Sequence, residues 1–66
     1  MEAERQKLLR AGAVAVVHLP ETGRLMVWAS HDKSDAVRAA ACRLGRITSE
    51  NRGNDESFFR VELRAA

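Results

Sequence analysis

Two short apolar runs, Ala13–Leu19 and Arg24–Ser30, are separated only by Pro20-Glu21-Thr22-Gly23. The first is rich in β-branched residues, and a four-residue turn with proline first and glycine last folds two strands back on each other. The chain must therefore be built around a β-hairpin. Pairing Leu19 with Arg24 sorts the side chains, because successive strand residues point to opposite faces. Val14, Val16, His18, Leu25, Val27 and Ala29 share one face; Ala13, Ala15, Val17, Leu19, Met26 and Trp28 share the other. Both faces are largely apolar. A hairpin with one wet face alternates apolar and polar residues, whereas strands covered on both sides read as continuous apolar runs. Each face thus calls for a cover.

The flanking segments supply candidates. Glu2 to Ala11 reads as a short helix, with Glu2 and Glu4 at its start, Lys7 and Arg10 near its end, and Gly12 as its stop. Only Leu8 and Leu9, helped by Ala3 and Ala11, give it an apolar side. A second helix over Ser34 to Leu44 carries Val37, Ala40, Ala41 and Leu44 at i, i+3, i+4, i+7, with Asp32 or Ser34 as N-cap and Gly45 as its end. A second hairpin follows, Arg46–Asn51 and Ser57–Arg64 around the polar stretch Arg52-Gly-Asn-Asp-Glu56. Phe59, Val61 and Leu63 alternate there with Arg60, Glu62 and Arg64, a one-sided pattern. The first strand of this hairpin is poor in apolar residues and reads as a short edge. The predicted fold is α+β: a short N-terminal helix, then β-β-α-β-β. One principal helix packs on a four-stranded, mainly antiparallel sheet, and Val16, Val27, Val37, Leu44, Phe59 and Val61 form the core.

With 66 residues the chain holds one domain, residues 1–66, and a domain of this size buries only ~60% of its unfolded surface. Such domains gain stability from disulfides, metals or association. The lone Cys42 cannot form an internal disulfide, which also fits a reducing compartment. No apolar run approaches the ~20 residues of a bilayer span, and no signal peptide is visible, so a soluble cytoplasmic protein without membrane contact is expected. Self-association, at least to a dimer, is the remaining route.

Chemistry is sparse. His18, His31 and Cys42 are the soft ligands, with no CxxC, HxxxH or HExxH spacing, so no metal is expected. His18 lies among valines and reads as a structural histidine, and Cys42 as a structural thiol. His31, Asp32, Ser34 and Asp35 have the residue types of a catalytic triad. They crowd one loop, however, where triads draw members from separate elements, and capping explains the same residues. Asn51–Glu56 lacks the spacing of a calcium loop, and no phosphate-binding glycine motif or other cofactor motif is present. The sequence predicts no catalytic residue and no cofactor.

The layout of Ala13–Ser30 followed by a helix bearing Arg38 is similar to the opening of GIY-YIG nucleases. Ala13-Val14-Ala15 and Met26-Val27-Trp28 stand where that family carries its name motifs. This chain has no tyrosine and ends before the family's later metal-binding glutamate. The resemblance therefore covers about a third of the chain without the residues that carry the chemistry.

Two contact surfaces remain. Trp28 and Met26, with Val17 and Leu19, lie on the hairpin face opposite the principal helix. Trp and Met are suited to the centre of a protein interface. The two leucines of the N-terminal helix look insufficient to cover them. The leading expectation is a non-enzymatic regulatory or accessory module that docks on a protein partner and self-associates, face to face or edge to edge. The alternative is a nucleic-acid-binding domain. Nine arginines against two lysines favour planar anion recognition. Arg38, Arg43 and Arg46 would cluster on the outer side of the main helix, and Arg60 and Arg64 would line the last strand beside Phe58. Glu50, Asp55, Glu56 and Glu62 interleave with these cations, where nucleic-acid modules show stripes of one sign.

Overall fold

The computed structural model of the protein describes residues 2–64. It contains α1 (Glu2–Ala11), β1 (Ala13–Leu19), β2 (Arg24–Ser30), a single 3₁₀ turn (His31–Lys33), α2 (Ser34–Leu44), β3 (Gly45–Arg52) and β4 (Glu56–Leu63). The strands form one antiparallel sheet in the order β1-β2-β4-β3. The predicted α+β architecture is present in full. β2 and β4 are the central strands, and β1 and β3 are the edges.

The first hairpin closes where the turn residues require. The backbone amides of Thr22 and Gly23 both donate to the Leu19 carbonyl, at 3.2 and 3.0 Å. From there Leu19 faces Arg24, Val17 faces Met26, and Val16 faces Val27. The register then slips: Ala15 lies opposite Trp28 but Ala13 lies opposite Ala29. Val14 is thus an extra residue, a β-bulge. It corrects the facial assignment at the strand's start, turning Ala13 toward the helices and leaving Val14 58% exposed.

Both helices pack on the same side of the sheet. Leu8 of α1 joins Val37 and Ala41 of α2 over Leu25, Val27 and Ala29 of β2 and Phe59 and Val61 of β4, all fully buried. Four of the six predicted core residues are among them. Val16 and Leu44 only border this cluster, because β1 is an edge and Leu44 ends its helix. Leu8, Leu25, Ala29 and Ala41 complete it. Alanines in α2 set the helix close to the sheet, and Leu8 fills the space beside it.

The start of α2 differs from the capping expectation. The 3₁₀ turn runs straight into the helix, so Lys33 occupies the cap position and no side chain caps it. Ser34 is turned instead toward the buried Ser57 of β4, hydroxyl to hydroxyl at 3.1 Å. Asp32 accepts a 2.6 Å hydrogen bond from the Ser30 hydroxyl. At its other end α2 passes directly into β3 through Gly45. A Cβ there would lie 2.0 Å from the Glu62 carbonyl oxygen, so only glycine allows β4 this close. β3 is an edge as expected, yet at eight residues it is not short. It also has one extra residue, Thr48, between the Ile47–Val61 and Ser49–Arg60 pairs.

Candidate functional site

Alternation along β2 and β4 fixes what the open side of the sheet presents. In β2 the exposed alternates are Arg24, Met26, Trp28 and Ser30; opposite them in β4 stand Glu62, Arg60, Phe58 and Glu56. β1 adds Ala15, Val17 and Leu19, and β3 adds Arg46, Ser49 and Asn51. No element of the chain crosses this side among the described residues. All four residues predicted for a protein contact, Val17, Leu19, Met26 and Trp28, lie together on it. Val17 and Leu19 are 44% and 39% exposed, and Met26 and Trp28 are half-buried by their neighbours.

The centre of the face is aromatic. Trp28 and Phe58 are direct cross-strand partners, with ring centroids 5.1 Å apart and planes inclined by 46°. This tilted contact is among the arrangements that aromatic pairs favour. The Arg60 guanidinium lies 5.8 Å from the Phe58 centroid, within cation–π range. Beside it Leu19, Arg24, Met26 and Arg60 line a hollow of about 230 Å³. The face therefore divides into an apolar half on β1 and β2 and a polar half on β3 and β4, joined by Trp28 and Phe58.

Charge on the face is close to balanced. Glu62 lies between Arg24 and Arg46, at 3.8 and 3.9 Å, and Glu56 stands at the far end of β4. Of the arginines predicted as a nucleic-acid surface, Arg46 and Arg60 are here with Phe58. The others are elsewhere. Arg38 pairs with Glu50 at 3.1 Å on the helix-covered side. Arg64 follows β4, leaves its face, and donates to the Cys42 carbonyl at 3.3 Å. Arg43 lies on the α1 side of α2, beside Lys7 and Arg10. The expected cluster of Arg38, Arg43 and Arg46 is split because α2 turns Arg38 and Arg43 to opposite flanks.

The residue types suggestive of a triad are tied to separate partners. The His31 ring nitrogen Nε2 meets the Gly53 carbonyl at 3.0 Å, pinning the 3₁₀ turn to the β3–β4 loop. Asp32 is held by Ser30, whose hydroxyl lowers its carboxyl below the usual range. Cys42 is exposed, and His18 is half-buried on the helix side of β1. Among the described residues no three His, Cys, Asp or Glu side chains gather around one point. No helix among them is long and apolar enough to cross a membrane.

Sequence reasoning missed the pairing of Phe58 with Trp28, since Phe58 was placed only beside the arginines. The signal was available in the alternation of β4, which puts Phe58 opposite Phe59, but the register to β2 depends on loop lengths between distant elements. No protein-family model, curated protein or solved structure matches this chain.

Proposed function

We propose that the protein is a non-enzymatic binding module that docks on another protein through the open face of its sheet, and that a second copy of the chain is one such partner. The supporting observation is that both helices cover one side of the sheet while Trp28, Phe58, Met26, Val17 and Leu19 stay grouped on the other. Four strands about 4.8 Å apart and seven residues of about 3.4 Å give a face of roughly 19 by 24 Å. Two such faces would bury on the order of 900 Å², below the ~1,200 Å² of stable specific interfaces and in the range of weak, transient contacts. Such an interface suits micromolar association of a regulatory or accessory protein. Internal pairing of Arg24 and Arg46 with Glu62 leaves little charge to repel a second copy. A cytoplasmic location belongs to this reading and is supported by the lone Cys42, which cannot form an internal disulfide.

Sedimentation equilibrium at micromolar concentration tests the self-association. The wild type is expected as a dimer in exchange with monomer, and Trp28→Glu as a folded monomer. A wild type that stays monomeric throughout would refute self-association. A second reading, single-stranded nucleic acid on the same face, is favoured by the Trp28–Phe58–Arg60 series, because bases stack on exposed rings and arginines. Titration with oligo-dT and oligo-U at several salt concentrations separates the two. Binding that weakens steeply with salt and is lost in Arg60→Gln supports nucleic acid.

A further inference from the structure

On the opposite side of the molecule, α1 and α2 lie side by side and enclose a groove of about 640 Å³. Its floor includes Ala36, Ala39 and Ala40, and its rim carries Lys7, Arg10 and Arg43. No carboxylate lines it. The contrast with the other arginines is the informative part. Arg5, Arg24, Arg38 and Arg46 each pair with a glutamate of the chain. A second groove, between α2 and β3, has its three arginines engaged: Arg38 with Glu50, Arg46 with Glu62, and Arg64 with the Cys42 carbonyl. Lys7, Arg10 and Arg43 make no such pair among the described residues. Glu4, one turn earlier on α1, feels the charge of Lys7 but stands outside the groove.

We infer that the groove between α1 and α2 is a second docking site, and that its occupant is an acidic amphipathic helix of a protein partner. The small side chains of the floor let a third helix come close, as helix-in-groove recognition requires. Three like charges on the rim, none in a close ion pair with a carboxylate among the described residues, select a segment carrying carboxylates along its flanks. α2 spans about 16 Å over its 11 residues, enough for about three turns of the partner. The apolar floor favours a peptide over a phosphate backbone, which would leave the alanines uncovered. This site is independent of the open sheet face, since none of its residues lies on that face.

The test uses the full chain, labelled with ¹⁵N, and three probes. The first is an 18-residue helical peptide with Ala and Leu along one stripe and Glu on both flanks. The second has the same composition in scrambled order, and the third is an oligo-dT of similar charge. The helical peptide is expected to bind with micromolar affinity and to shift the amides of Ala36, Ala39 and Ala40, while those of Trp28 and Phe58 stay in place. Affinity should fall about tenfold or more when Lys7, Arg10 and Arg43 are all changed to Gln. Ala39→Gln, an exposed change that fills the floor, should weaken binding with all three cations retained. The inference is overturned if the scrambled peptide binds equally well, if the oligonucleotide is preferred, if the shifts fall on the sheet face, or if no probe binds.

Discussion

The two faces of β2 are made from one seven-residue strand and have opposite fates. Leu25, Val27 and Ala29 are fully buried beneath two helices, while Met26 and Trp28, one residue away in each case, face outward with no helix among the described residues over them. Hydrophobicity does not distinguish the two sets. Trp28 is larger than any residue on the covered side. The separation comes from α1, whose Leu8 enters the core beside α2 instead of crossing to the Trp28 side. A strand's apolar content thus shows that a face needs cover, and the position of a neighbouring helix decides which face receives it.

The largest expected effect lies on the covered side. Phe59→Ala removes the bulkiest fully buried side chain, at a cost of about 3–5 kcal/mol. A 66-residue domain has on the order of 3–10 kcal/mol in total, so chemical denaturation should find this variant at or near unfolding. Leu8→Ala comes next, at about 2–5 kcal/mol. It would break the comparison directly. A thermal midpoint unchanged from wild type would mean that α1 does not belong to the core. A smaller effect is expected for Met26→Ala, measured below the concentration at which dimers form. Its side chain is only half-buried, so the loss should stay under about 1 kcal/mol. A cost equal to that of Val27→Ala would show that the open face is covered within the monomer.

The smallest effect concerns Ser30 at the rim of the open face. Its hydroxyl stabilises the ionised Asp32 carboxylate and lowers that group's folded pKa. The associated stability is therefore present above the ordinary carboxylate pKa near 4 and is lost as pH falls through the lowered one. Ser30→Ala should raise the Asp32 pKa toward its ordinary value in a carbon-detected NMR titration. At neutral pH the melting curve should scarcely move, since Asp32 is solvent-exposed.

Much of this was legible in the residues. The first hairpin, its turn and most of its facial pattern follow from Pro20, Gly23 and the β-branched run before them. The stripe of α2 and the alternation of β4 are equally direct. Three features were not. The extra residue Val14 leaves no trace in an apolar run where every neighbour is similar. The turn of Ser34 toward Ser57 depends on a contact 23 residues away, whereas capping is read from adjacent residues. The dispersal of Arg38, Arg43 and Arg64 around the molecule depends on how α2 is rotated against the sheet. Residues of the open face could be named in advance because they sit on one strand pair. The arginines could not, because they are spread over α2, β3 and the end of β4.

The extra residues in β1 and β3 have a consequence for the chain's behaviour when crowded. An edge strand offers unpaired backbone amides and carbonyls to any other strand, and Ala13–Leu19 has no Lys, Arg, Asp, Glu or Pro to discourage such pairing. Val14 interrupts that template after its first residue, and Thr48 does the same on the other edge. Sheet-by-sheet growth from either side then meets a kinked strand whose bonding groups are out of step with a flat partner. Deleting Val14 would straighten β1 into an uncharged, regular edge. The protein would keep its buried face and yet become a nucleus for fibrils.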